Sequence, residues 1–214
     1  MGTRHLIGVI AGGRYKVAQY GQWDGYPSGQ GLSILNFLQS DQLAAFKENL
    51  PKCSWISEDD IAKYWSEFGV NIRENGSVSY EIYNKFSAKY PQLSRDTGAD
   101  VLKVIASAPD GVKLRNDYDF SRDSLFCEWA YVIDFDKNTF EVYQGFNEKP
   151  LDKSERFYSE VLTQYSSNNT YYPVKLLTSF DLSNLPSEDE FLKVCEPPED
   201  EDEEEAVATP ATAS

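Results

Sequence analysis

"SLFCEWAYVIDFDKNTFEVYQGF", residues 124–146, is the stretch whose reading decides the fold. Phe126 to Phe135 is a run rich in aromatic and β-branched residues, Asp136-Lys137-Asn138 is turn chemistry, and Thr139 to Phe146 resumes the apolar run. Two such runs around a short polar turn specify an antiparallel hairpin. A second hairpin opens the chain. There "RHLIGVI" (4–10) and "RYKVAQY" (14–20) meet at Ala11-Gly12-Gly13, and paired glycines supply the positive φ angles of a tight turn. Strict alternation places Tyr15, Val17 and Gln19 on one face, with Lys16, Ala18 and Tyr20 on the other. Both faces are partly apolar, as in a sheet covered on more than one side.

Helical patterns fill the space between the hairpins. Ser28 reads as the N-cap of a helix through Leu32, Leu35, Phe37, Leu38, Leu43 and Phe46, interrupted at Ser40-Asp41 and ending near Pro51. Ser57 starts a second, with Ile61, Tyr64, Trp65 and Phe68 inward and Gly69 at its end. After a turn at 75–77, Tyr80, Tyr83, Phe86 and Tyr90 recur at helical intervals before Pro91. Ser94 is expected to cap a further helix carrying Val101, Leu102 and Ile105. A helix is predicted across 153–165, a last strand within "YYPVKLLTSFDL" (171–182), and a short helix beyond Pro186. The expected class is α+β: helices layered on a mainly antiparallel sheet. The domain reading is a single α+β domain over 1–186, a short C-terminal segment at 187–195, and a disordered acidic tail at 196–214.

Aromatics at 14% and hydrophobic residues at 41% give the chain enough material for a core with strands in it. The formal net charge is −15, and the run "EPPEDEDEEE" (196–205) supplies eight acids without a base, so the remainder still carries −7. That surface repels phosphate backbones and anionic membranes, so nucleic acid and membrane are not expected as partners. Three cysteines without a CxxC pair predict neither a disulfide framework nor structural zinc. The first residues form no signal or membrane span, and Leu6 replaces the Ser or Thr of a myristoylation motif. A cytoplasmic protein without cofactor or metal is the expectation.

Chemistry concentrates in "QYGQWDGYPSGQG" (19–31), which sets three aromatics beside four glycines and one acid. Ordinary strand-to-helix turn chemistry accounts for much of it. The functional reading makes Trp23 and Tyr26 a platform, Asp24 a polar anchor, and the helix start at Ser28 an anion cradle. Gly29-Gln30-Gly31 lacks the later glycine of a dinucleotide fingerprint and the lysine of a P-loop. Arg4 and His5, the lone histidine, alternate faces on a strand, and Arg95 is a candidate anion ligand. Cys127 reads as a small core residue. Asp134, Asp136 and Asn138 have calcium-loop spacing without the loop's Gly and Glu, so they read as a turn. Asp117, Asp119 and Asp123 read as a solvated acidic loop.

"MGTRHL", "KVAQYGQWDGYPSGQG", "LSRDTGADVLKVI" and the 124–146 hairpin together resemble an uncharacterised family of microbial and phage proteins over most of residues 1–150. The resemblance implies no activity. A strand at the very start followed by a hairpin is also similar to the N-terminal-nucleophile hydrolases, which would imply αββα layering. Those enzymes need a terminal Cys, Ser or Thr, whereas removal of Met1 here exposes Gly2, and Thr3 only after another cleavage. Three functions therefore stand open: a small-molecule-binding or regulatory domain with its site at 22–28, an amide or acyl hydrolase, and a non-catalytic protein-interaction domain using the acidic tail.

Overall fold

A computed structural model describes residues 2–72, 74, 77–158 and 171–196. Its centre is a five-stranded sheet in the order β2-β1-β5-β6-β7, formed by β1 (His5–Ala11), β2 (Arg14–Gly21), β5 (Trp129–Asp134), β6 (Thr139–Gln144) and β7 (Lys175–Asp181). Both hairpins form where the turn residues place them. Gly12 and Gly13 take φ of +64° and +73°, and Asn138 takes +58°. β1 and β5 then lie side by side in parallel, while the other neighbours are antiparallel. The two hairpin tips are tied together, since both Asp136 carboxylate oxygens accept N–H groups of the glycine turn, from Gly12 at 2.9 Å and Gly13 at 2.7 Å. The carboxylates with calcium-loop spacing are thus occupied by turn amides, and among the described residues no acid, His or Cys cluster is arranged for a metal.

Side chains alternate into two cores. One face of the sheet presents Ile7, Val9, Val17, Tyr131, Ile133, Phe140 and Val142. Onto it pack α1 (Leu32–Leu38), α2 (Gln42–Asn49), α5 (Asp100–Ala106) and α6 (Glu188–Cys195). The other face presents Leu6, Ile10, Ala130, Val132 and Tyr143, covered by Leu151, Phe157, Val174 and the 3₁₀ turn Tyr118–Arg122. A bulge between Val9 and Ile10 corrects the expected alternation, because Val9 opposes Val17 while Ile10 opposes Tyr15. The extra residue turns Tyr15 to the face opposite Val17 and Gln19.

The helices differ from expectation at their ends. The chain enters α1 through a π-helical turn, Pro27–Gly31, whose N-cap residue is Tyr26 with no side-chain bond. Ser28 caps nothing, and its hydroxyl reaches Glu196 at 3.2 Å. The Ser40-Asp41 interruption separates α1 from α2. Ser94 takes the N–H of Asp96 at 3.1 Å, six residues before α5 begins. Ser57 does cap α3 (Glu58–Ser66), receiving the Asp60 N–H at 3.1 Å. α4 (Tyr80–Lys89) is capped by Ser79, and Tyr80 is 81% exposed while Phe86 is buried.

α3 and α4 pack on each other outside both cores, with Trp65 stacked on Phe86 at 3.7 Å and Tyr64 on Tyr90 at 4.5 Å. Two short strands, β3 (Ser54–Trp55) and β4 (Lys113–Leu114), pair beside them. α6 begins in a capping box between Ser187 and Glu190 and sends a fully buried Phe191 into the main core. The segment at 187–195 is therefore docked on the body. Residues 153–158 run as successive turns, and the rest of the helix expected there, like the acidic run after Glu196, lies outside the described residues. Among the described residues no helix is long and apolar enough to cross a membrane.

Candidate functional site

The loop between β2 and α1 is built by close approach. A Cβ on Gly21 would stand 2.1 Å from the His5 imidazole, and one on Gly29 would stand 2.3 Å from the Asp24 carbonyl oxygen. Glycine at these points lets the chain fold back tightly beside large rings. The Gly25 N–H donates to the Thr3 carbonyl at 3.0 Å, and the buried Tyr131 hydroxyl donates to the Gly25 carbonyl at 2.8 Å. Asp24 sits at φ +55°, and its carbonyl, not its carboxylate, accepts the Gln30 N–H at 2.9 Å. Trp23 lies against Gly2 with its indole N–H on the Asp96 carboxylate at 2.8 Å. Trp23 and Tyr26 remain about half exposed, at 47% and 51%.

The other expected site residues are dispersed. His5 is fully buried, and neither ring nitrogen has a hydrogen-bond partner. Burial lowers its pKa from 6.5 to about 4, a Thr3 backbone contact offsetting only part of that, so the ring stays neutral. Arg4 points elsewhere, 3.5 Å from the Glu128 carboxylate and over the Phe126 ring at 4.7 Å. Thr3, the residue a terminal-nucleophile enzyme would need, is 5% exposed. Cys127 is a fully buried thiol whose pKa burial pushes well up, as a core residue should show.

Arg95, one of the six, lines a cavity. That cavity, of about 240 Å³, opens between β2 and the α3–α4 pair. Its floor is Gln19, 1% exposed, whose Nε2 donates to the Ser94 carbonyl at 3.2 Å while Oε1 has no partner. Its walls are aromatic: Tyr20 from β2, Trp65 from α3, and Tyr83 and Phe86 from α4. The Tyr83 hydroxyl shares a 3.1 Å hydrogen bond with the Ser94 hydroxyl, which fixes α4 to the segment bearing Arg95.

At the rim stand Arg95 and Arg115, their side chains 56% and 46% exposed. Arg95 lies over the Tyr83 ring at 5.4 Å and 3.9 Å from the Asp96 carboxylate. Arg115 donates through Nε to Asp117 at 3.3 Å, and Asp117 is itself held by the Tyr20 N–H at 3.1 Å. Both contacts use the inner nitrogen. The terminal nitrogens of both guanidinium groups have no hydrogen-bond partner among the described residues.

Loop and cavity share a wall. The Gln22 N–H donates to the Arg95 carbonyl at 2.9 Å, and Gln30 joins the two sides, accepting from Ala99 N–H at 2.7 Å and donating to the Trp23 carbonyl at 3.3 Å. The aromatic loop is therefore the brace behind Arg95. Sequence reading missed Gln19, Tyr20, Trp65, Tyr83, Phe86 and Arg115 as site residues. They come from four separated segments, and the Arg115 segment is laid along β2 by the Asp117 N–H bond to the Ala18 carbonyl, at 2.8 Å, and the Tyr20 N–H bond to the Asp117 carboxylate, at 3.1 Å. Comparison of the chain with family models, with curated proteins and with solved structures finds no match in any of the three.

Proposed function

We propose that the protein is a small-molecule-binding domain whose ligand is an organic anion, held in the cleft between β2 and the α3–α4 pair. One observation carries the reading: two guanidinium groups, whose terminal nitrogens have no hydrogen-bond partner among the described residues, stand over an aromatic cavity of about 240 Å³. In a chain of net charge −15, two cationic groups beside a concave apolar surface mark where a negative group is favoured. Trp23, Asp24 and Tyr26 belong to this reading as a stiff support that fixes the backbone of Arg95. An αββα hydrolase reading gains nothing from Thr3, whose carbonyl is tied to Gly25.

A thermal-shift screen of small metabolites tests the proposal, because a ligand that binds only the folded state raises the melting temperature. The compounds that stabilise the protein should be anions. The double variant Arg95→Ala/Arg115→Ala should melt like the wild type without ligand, since both side chains are half-exposed, and should lose each ligand-induced shift. A screen in which no anion stabilises the wild type, or in which anions stabilise the double variant equally, overturns the proposal.

A further inference from the structure

The two edges of the sheet differ. Along β2 the Arg115 segment already lies against the outer side, with Asn116 bridged to Ala18 and the Asp117 N–H on the Ala18 carbonyl at 2.8 Å. β7, at the edge far from the cleft, has β6 on one side and, among the described residues, no strand on the other. We infer that this free edge pairs antiparallel with β7 of a second copy of the chain, about a two-fold axis through Thr178, joining two five-stranded sheets into one.

The backbone supplies the template. The Leu182 N–H donates to the Asn138 carbonyl at 3.0 Å. Alternation along the β6–β7 pair then directs Phe180 and Thr178 at β6 and turns the Ser179 N–H and carbonyl outward. An open edge of seven residues with no proline offers those groups to another strand.

The side chains choose the partner and the register. Lys175 and Asp181 are exposed and stand at opposite ends of β7. An antiparallel copy centred on Thr178 sets Lys175 against Asp181 of the partner subunit, and the two-fold axis forms that pair twice. Centring on Leu177 or Ser179 leaves Lys175 opposite a serine and forfeits both pairs. The Asp181 side chain accepts from Asn138 and from the Ser183 N–H, at 2.7 Å each, and both bonds fall on Oδ1.

Apolar surface adds to the charge pairs. Leu176 and Leu177 are each 40% exposed and Phe146 is 53% exposed, and with Lys149 and Lys175 they line a groove of about 490 Å³. A bulge opposite Val142 and Tyr143 leaves Leu177 outside the pairing with β6. A partner strand running past this groove removes part of it from water. An interface built on seven-residue strands is small, so the dimer should dissociate on dilution.

Sedimentation velocity on the full chain from about 1 to about 300 μM tests the inference, with a monomer–dimer equilibrium expected inside that range. Lys175→Glu sets like charges opposite each other twice and should weaken the dimer about tenfold. Asp181→Lys should weaken it likewise. An equimolar mixture of these two variants should regain wild-type association, because every contact in the mixed dimer again joins opposite charges. Ser179→Pro should abolish the dimer and spare the β6–β7 bonds. In the wild type, exchange of the Ser179 amide should slow as concentration rises. If Asp181→Lys or Ser179→Pro misfolds, the exposed Lys175→Glu change and the wild-type exchange carry the test. A monomer throughout overturns the dimer and leaves the edge to a different chain. A dimer unchanged by Lys175→Glu and Ser179→Pro, with Ser179 exchange independent of concentration, overturns the strand pairing. One that Ser179→Pro abolishes and Lys175→Glu does not weaken overturns the register centred on Thr178. Anion binding in the cleft stands or falls separately from all of these outcomes.

Discussion

His5 is a costly side chain to place where it lies. It is fully buried against the backbone of Gly21 and Gly25 with both nitrogens unpartnered, which holds its pKa near 4. The unfolded chain keeps the ordinary value of 6.5, so between these two limits the unfolded state binds more protons. The stabilising contribution is complete above the unfolded value and is lost as pH falls through the window toward the folded value. Between about pH 7 and pH 5 the loss should amount to about 2 kcal/mol. Urea unfolding at those two pH values should show it in the wild type, and His5→Phe should flatten the dependence. The same imidazole explains Gly21, where any Cβ would collide with it at 2.1 Å. Sequence reading noticed both residues without linking them, because their contact exists only once β1 and β2 pair in register.

Arg156 shows how one side chain holds an irregular segment onto a sheet. Its guanidinium binds Glu141 through two nitrogens, at 2.7 and 2.6 Å, and Asp134 at 2.6 Å, joining the turns at 153–158 to β5 and β6. Burial alone would raise both carboxyls, but the arginine outweighs it and keeps them below the usual range. Arg156→Met should destabilise the protein by about 3 kcal/mol at neutral pH, because two buried carboxylates lose their counter-charge. The deficit should shrink in acid, since those carboxyls would protonate at higher pH than in the wild type. Denaturant midpoints at two pH values measure both effects. The hairpins themselves were legible in glycine pairs and alternating runs, and Ser57 declared the start of α3. Ser28 misled for a physical reason: Pro27 and the tight return of the Asp24 carbonyl impose a wider turn, which moves the serine off the cap position.

Across the molecule, apolar burial is uneven. β1 and β5 are buried along nearly their whole length between two cores, whereas α3 buries no residue fully and α4 only Phe86. Hydrogen exchange should therefore be slower in β1 and β5 than in α3 and α4. A ligand in the cleft bridges β2 to that helix pair, so an anion found by thermal shift should slow exchange in α3 and α4 while leaving β5 unchanged. Protection confined to the 22–28 loop would point instead to a site on its exposed aromatics.

By itself the sequence determined what depends on near neighbours: both hairpin turns, the Ser57 cap of α3 and its acidic first turn, and the two-sided character of the first strands. These follow from φ preferences, side-chain period and charge next to a helix end, all local quantities. The parallel seam between β1 and β5, the bulge that reverses Tyr15 and the gathering of Gln19, Trp65, Arg95 and Arg115 around one cavity came from the packed molecule. Each requires residues tens of positions apart to meet, and contact between distant segments is fixed by how whole elements bury their apolar faces together.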